Sequence, residues 1–140
     1  MKGRFVAIAA TASVVVASSS GCFMRVEKVP QNTARITVNH QTRTSHALTC
    51  SQVEWTWHAD ISAAPARVKI AIRLDGEKLK PQSVNIDNFE GFTGVADSGV
   101  GNAKAVFAGK TYTVTGEAQG TDPNDANTPA TADFKIEVSC

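Results

Sequence analysis

The clearest chemistry in the sequence lies near its start, where a cysteine follows a run of small residues. Lys2 and Arg4 precede thirteen apolar or small residues, from Phe5 to Ala17, and Ser18-Ser19-Ser20-Gly21-Cys22 follows directly. A membrane-crossing helix needs about 20 apolar residues, so this run is too short and fits the apolar region of a secretory signal. Small residues before a cysteine are what lipoprotein processing requires. We therefore predict an acylated Cys22; the alternative is an unmodified thiol after ordinary signal cleavage.

Processing before Cys22 divides the chain into three parts. They are a signal peptide, residues 1–21, a lipid-anchored tether, residues 22–33, and a body, residues 34–140. The mature chain carries 12 Lys and Arg against 13 Asp and Glu, so its charge attracts it little to anionic lipid. Stable anchoring by acyl chains takes two or more of them, at about 0.8 kcal/mol for each buried methylene. We expect N-terminal acyl chains, including palmitate, to hold the body at the extracytoplasmic face of a cell membrane.

Cys50 and Cys140 are the other two cysteines of the chain. Export places them in an oxidising compartment, where an even pair favours a disulfide. A metal site would need further Cys or His ligands at close, recognisable spacing, and two thiols this far apart do not supply them. We predict a Cys50–Cys140 disulfide and no metal site.

Trp55 and Trp57 are the residues with the most ambiguous role. Their spacing predicts that both side chains lie on one face of a strand. One interpretation is that they belong to the hydrophobic core or cover a disulfide. The other is that they line an apolar ligand cleft, where Phe89 and Phe92 would help to form a slot for an acyl chain.

Three other groups of residues resemble functional motifs without completing them. They are the end of a phosphate-binding loop at Gly109-Lys110-Thr111, the histidines His40, His46 and His58, and the acidic residues Asp122, Asp125 and Asp133. The first lacks the upstream glycine and a following helix, and the others lack metal-ligand spacing. His58 and Asp60 come without a nucleophile-elbow signal. The balanced charge excludes an electrostatic nucleic-acid binder. We predict no enzyme, no cofactor and no nucleic-acid partner.

The body that must position these residues shows the alternation of apolar and polar residues that is typical of β-strands. In residues 67–74 every second side chain is apolar and the others are mostly cationic. Shorter runs of the same kind are found at residues 36–39, 53–58, 84–87, 103–107, 111–115 and 134–139. The segment 122–129 is polar and is expected to be a loop between the last two strands. Because no helical stripe is present, we predict an all-β fold, an antiparallel β-sandwich or strongly curved sheet of about seven strands.

The order of several motifs resembles that of the mycobacterial nineteen-kilodalton lipoprotein antigen family. The motifs are Cys22 after its signal, Leu-Thr-Cys50, a Gly-rich middle, Lys110-Thr-Tyr-Thr-Val-Thr-Gly-Glu-Ala-Gln-Gly120 and the closing Phe134-Lys-Ile-Glu-Val-Ser-Cys140. The resemblance implies an acylated envelope protein with one body disulfide, no enzymatic activity and recognition by host innate receptors through the lipid. The Thr-rich, glycosylated tether of the antigen has no counterpart in residues 23–33.

These observations together lead to two functional hypotheses. The first is a non-catalytic surface lipoprotein that acts in display, adhesion or interaction with host receptors. The alternative is an extracytoplasmic carrier that binds a lipid or other apolar molecule near Trp55 and Trp57.

Overall fold

The computed structural model describes residues 29–140, so the predicted signal peptide and Cys22 lie outside the described residues. Every regular element in this range is a strand. In chain order the strands are β1 (Thr33–Val38), β2 (Gln41–Ser45), β3 (Ala47–Val53), β4 (Thr56–Ala63), β5 (Ala66–Arg73), β6 (Lys80–Phe89), β7 (Phe92–Asp97), β8 (Asn102–Ala108), β9 (Thr111–Asp122) and β10 (Asp125–Ser139). The all-β prediction is confirmed. The described range holds no helix that could cross a membrane.

All ten strands belong to one antiparallel sheet that curls until its ends approach each other. The strand order is β2-β1-β10-β9-β7-β6-β5-β4-β3, and β8 pairs with the edge of β9. The terminal strand β2 reaches both strands at the other end of the order: Ser45 Oγ donates a hydrogen bond to the carbonyl oxygen of Ser62 in β4, at 2.5 Å, and accepts one from the backbone N–H of Ala47 in the terminal strand β3, at 3.1 Å. The prediction of a strongly curved antiparallel sheet is therefore confirmed.

The β3–β4 hairpin lies across the ends of the strands on the opposite side of the core. Its successive contacts are with different strands: Cys50 of β3 is bonded to Cys140 at the end of β10, and Trp57 of β4 stacks on Tyr112 of β9. The hairpin therefore reaches from β10 to β9 at this end of the curved sheet.

The core is filled by the inward-facing side chains of the curved sheet, which alternate along each strand with side chains that face solvent. In β5, Val68, Ile70 and Ile72 are buried while Arg67 and Lys69 face solvent, as the sequence pattern predicts. The largest fully buried side chains are Phe89, Ile36, Ile61, Ile70, Ile72, Ile86, Ile136, Val68, Val84, Val114 and Val138. Burial of this many branched residues is the main stabilising contribution to the sheet.

Three strands exceed the seven that were predicted, each for an identifiable reason. The edge strand β2 is mostly exposed, so its sequence shows no apolar alternation. In strand β7 the alternation of buried and exposed residues is broken at Gly94 and Val95, which are both half-buried. The run at residues 53–58 is the end of β3, a turn at Glu54 and Trp55, and the start of β4. The segment 122–129 is a tight turn followed by a bulge in β10 rather than a long loop.

Strand β9 needs glycine where two strands meet one of its edges. Strand β8 pairs with its first half and β7 with its second half. A Cβ atom on Gly116 would lie 2.0 Å from the carbonyl oxygen of Asn102, and one on Gly120 would lie 1.8 Å from that of Thr93. These glycines allow a close backbone approach that no larger residue permits.

The folded body begins upstream of the predicted boundary at residue 34. Val29 is only 5% exposed, and Thr33 already opens β1. The predicted tether, residues 22–33, therefore overlaps the packed body from Val29 onward.

Candidate functional site

Two hairpins and a disulfide meet at one end of the sheet. The Cα atoms of Cys50 and Cys140 are 6.1 Å apart and their sulfurs are bonded. Cys50 is half-buried and packs against the core. The residue before the second cysteine, Ser139, pairs with Thr33 on one side and with Thr111 on the other. The disulfide therefore connects the β3–β4 hairpin to the end of the sheet where β1 and β9 begin and β10 finishes.

Aromatic stacking joins the β3–β4 hairpin to the β8–β9 hairpin. The rings of Trp57 and Tyr112 are stacked, with centroids 4.0 Å apart and an angle of 22° between the ring planes. Tyr112 also contacts Phe107, its partner across the hairpin, at a centroid distance of 4.4 Å. Partial burial raises the pKa of the Tyr112 phenol, because the charged phenolate is less well solvated there.

The prediction that Trp55 and Trp57 share one face is wrong. Trp57 is 5% exposed and belongs to the core, whereas Trp55 is 64% exposed. The two-residue turn of Glu54 and Trp55 interrupts the strand, and Glu54 has a φ of 54°. The alternation therefore does not continue through Trp55, whose carbonyl oxygen instead accepts a hydrogen bond from the backbone N–H of Leu74 at 2.7 Å.

The structure does not bring the tryptophans together with Phe89 and Phe92. Trp57 is aligned across the sheet with Ile72 and Pro81. Phe89 lies eight residues farther along β6, which is about 26 Å in an extended strand. Phe89 and Phe92 pair with each other and are buried at that distant end. The aromatic residues expected to form one apolar slot therefore pack in separate parts of the core.

A groove of about 390 Å³ lies on the outer face of β3, β4 and β5. Its lining includes Ser51, His58, Asp60 and Lys69, which point away from the core. Lys69 Nζ is 3.8 Å from Asp60 Oδ2, and both side chains are more than half exposed. Among residues 29–140 no group of three His, Cys, Asp or Glu side chains converges as a metal site would require. The groove is thus a polar, solvated sheet surface rather than an enclosed apolar pocket.

Four large apolar side chains stay exposed on the two stacked hairpins. They are Val53 at 63%, Trp55 at 64%, Val106 at 60% and Phe107 at 52% exposure, and we call them the hairpin patch. Sequence reasoning selected Trp55 but missed the other three. The sequence did contain one signal for an exposed apolar residue, the consecutive pair Val106-Phe107. Because successive side chains of a strand point to opposite faces, one of two adjacent apolar residues must lie on the solvent side.

Comparison with known proteins agrees with the motif order in the sequence. The probable lipoprotein LppE of Mycobacterium tuberculosis is 38% identical over 141 residues that cover all of both chains. A putative lipoprotein of Mycobacterium indicus pranii is 35% identical over 95% of this chain and 96% of its own. Lipoprotein LpqH of Mycobacterium bovis is 36% identical over 50% of this chain and 45% of its own. The profile of the Mycobacterium 19 kDa lipoprotein antigen matches residues 27–140, and the chain belongs to this family.

Proposed function

We propose that the protein is a non-catalytic lipoprotein of the cell envelope, anchored through an acylated Cys22. Its body would be displayed on the extracytoplasmic face of the membrane, where it acts in adhesion or in interaction with host innate receptors. The observation that carries this proposal is the coincidence of two features. The body matches a lipoprotein antigen family over residues 27–140, and Gly21-Cys22 ends a short apolar run at the start of the same chain.

The geometry of the body supports display rather than chemistry. The core is packed, with Trp57 stacked inside it, and the polar groove over β4 is open to solvent. Family relatives carry lipoprotein names without a catalytic activity. A folded domain with a filled interior offers its outer surface as the means of recognition.

The anchor is tested by substituting Cys22 in a mycobacterial host. We expect the wild-type protein to be found in the membrane fraction with an intact mass that includes acyl chains. Cys22→Ala should give an unprocessed or mislocalised protein, while Ser18→Ala, which keeps a small residue before the cysteine, should behave like the wild type. A Cys22→Ala protein that stays in the membrane with an unmodified mature mass would contradict the proposal.

Display is tested on intact cells with a membrane-impermeant amine reagent. The body offers exposed lysines, among them Lys69 and Lys110, which the reagent should modify without lysis if the body faces outward. Modification only after lysis would contradict display at the cell surface. Native mass spectrometry of the same protein separates display from the carrier alternative, because a carrier would retain an adduct of lipid size.

A further inference from the structure

We propose that the hairpin patch docks the body onto the surface of the lipid bilayer that holds the anchor. The patch consists of Val53, Trp55, Val106 and Phe107, each more than half exposed. This inference rests on the proposed acylation of Cys22. It goes beyond anchoring, because it assigns the body a fixed orientation on the membrane.

The patch lies at the end of the sheet where the chain enters the body. Thr33, the first residue of β1, is aligned with Ser139, Ser139 with Thr111, and Thr111 with Ala108. These four residues form one row across β1, β10, β9 and β8. Three strand spacings of about 4.8 Å separate the ends of this row, so the entry point is about 14 Å from the β8–β9 hairpin.

The connection from the anchor to the body is short. Val29, which is already buried in the body, follows Cys22 by seven positions, with six residues between them. A fully extended segment of this length spans at most about 25 Å. The entry point is therefore held close to the bilayer surface, and the adjacent patch is within reach of it.

The chemistry of the patch suits the boundary between headgroups and acyl chains. Tryptophan is enriched at this boundary because its large ring is apolar and its indole N–H bonds to polar groups. One acidic residue, Glu54, and one basic residue, Lys110, flank the exposed side chains on the two hairpin turns. Nearby, Arg73 and Asp75 form an ion pair with each other, and Lys104 of β8 adds one positive charge. With so small a net charge, we expect docking to depend more on apolar contact than on anionic lipid.

The stacked rings behind the patch give the two hairpins one rigid orientation. Trp57 of the first hairpin stacks on Tyr112 of the second, and Tyr112 contacts Phe107. Trp55 and Phe107 thus belong to two hairpins that pack against each other. A surface that is already ordered loses little conformational freedom when it binds.

The test uses the full chain, produced and acylated in a mycobacterium and reconstituted into phosphatidylcholine vesicles. Two parallel samples are compared, one with ordinary and one with brominated acyl chains, because bromine quenches nearby tryptophan fluorescence. The chain has two tryptophans, one in the patch and one in the core, so we expect bromine to remove about half of the emission. The double variant Val53→Ser/Val106→Ser and the single variant Phe107→Ser keep Trp55 as the reporter, and each should reduce the quenching at least about twofold.

The matched control is Val100→Ser, which changes an exposed valine outside the patch and should leave quenching unchanged. Circular dichroism and intact mass verify that each variant is folded and acylated. Acylated wild-type protein without quenching, or patch variants quenched as strongly as the wild type, would overturn docking and leave the anchor intact. Absence of acyl chains on the wild-type protein would overturn the proposed function and docking with it.

Discussion

The disulfide between Cys50 and Cys140 offers the sharpest test of what holds the curved sheet together. It connects residues 90 positions apart, and it joins β3, a terminal strand of the sheet, to the end of β10. For a closed loop of this length, the chain-entropy relation gives a stabilisation of about 4.6 kcal/mol. Domains of this size have free energies of unfolding of about 5–15 kcal/mol. The variant Cys50→Ala/Cys140→Ala should therefore lose a large part of the stability of the body.

The assay is equilibrium unfolding in urea, followed by tryptophan fluorescence. We expect a lower midpoint for the double variant and a steeper denaturant dependence, because its unfolded chain is no longer cross-linked and exposes more surface. The wild-type protein with a reducing agent is the control and should unfold like the variant. A loss of stability below about 1.5 kcal/mol, with an unchanged slope, would show that the link restrains the unfolded chain far less than the relation requires.

Three further predictions concern single side chains. Gly120→Ala should lower the free energy of unfolding by about 2–3 kcal/mol, because the new Cβ would meet backbone at 1.8 Å. Gly99→Ala should change little in the same urea titration, because its Cβ would meet only Asp97 Oδ1, at an ordinary contact distance of 3.9 Å. Trp57→Ala should lower the free energy of unfolding by about 3–5 kcal/mol and Trp55→Ala by less than about 0.5 kcal/mol, as measured by thermal unfolding. Equal losses of stability would refute the assignment of Trp57 to the core and Trp55 to the surface. Tyr112 is the sole tyrosine, so ultraviolet titration of tyrosinate reads its pKa directly, and we expect burial to hold that pKa above the ordinary value of tyrosine. Because the pKa of Tyr112 is raised in the folded state, its contribution to the free energy of unfolding is fully present below the pKa of the unfolded chain. This contribution is lost as the pH rises through the folded-state pKa, and Tyr112→Phe should remove this pH dependence of stability.

Much of the fold could be predicted because its strands obey simple rules of burial. Residues 67–73 alternate strictly, since one face of β5 covers the core and the other is in water. The β3–β4 turn could not be placed because it uses Glu54 and Trp55 in place of Gly, Pro or Asn, so the sequence shows no turn signal there. A period-two pattern that crosses such a turn places Trp55 on the same face as Trp57, although Trp55 lies in the turn and is exposed.

The candidate site was harder to predict than the strands. The two cysteines could be paired because only two remained after the predicted lipidation. The hairpin patch depends on which hairpins become neighbours, and that follows from the packing of the β3–β4 hairpin against β9. Nothing in the local sequence around Val106 or Val53 specifies this long-range arrangement.

The pairing of Thr33 with Ser139 has a consequence for protein engineering. The first and last strands of the body are adjacent and antiparallel, so a few added residues would join them into a closed ring. New ends could then be opened at the exposed Pro123–Asn124 turn, at the other end of β9, where breaks in the chain are tolerated. If a lipid were attached at this new start, the opposite end of β9 would lie toward the membrane, and the end that carries Thr33 and Ser139 would face away from it.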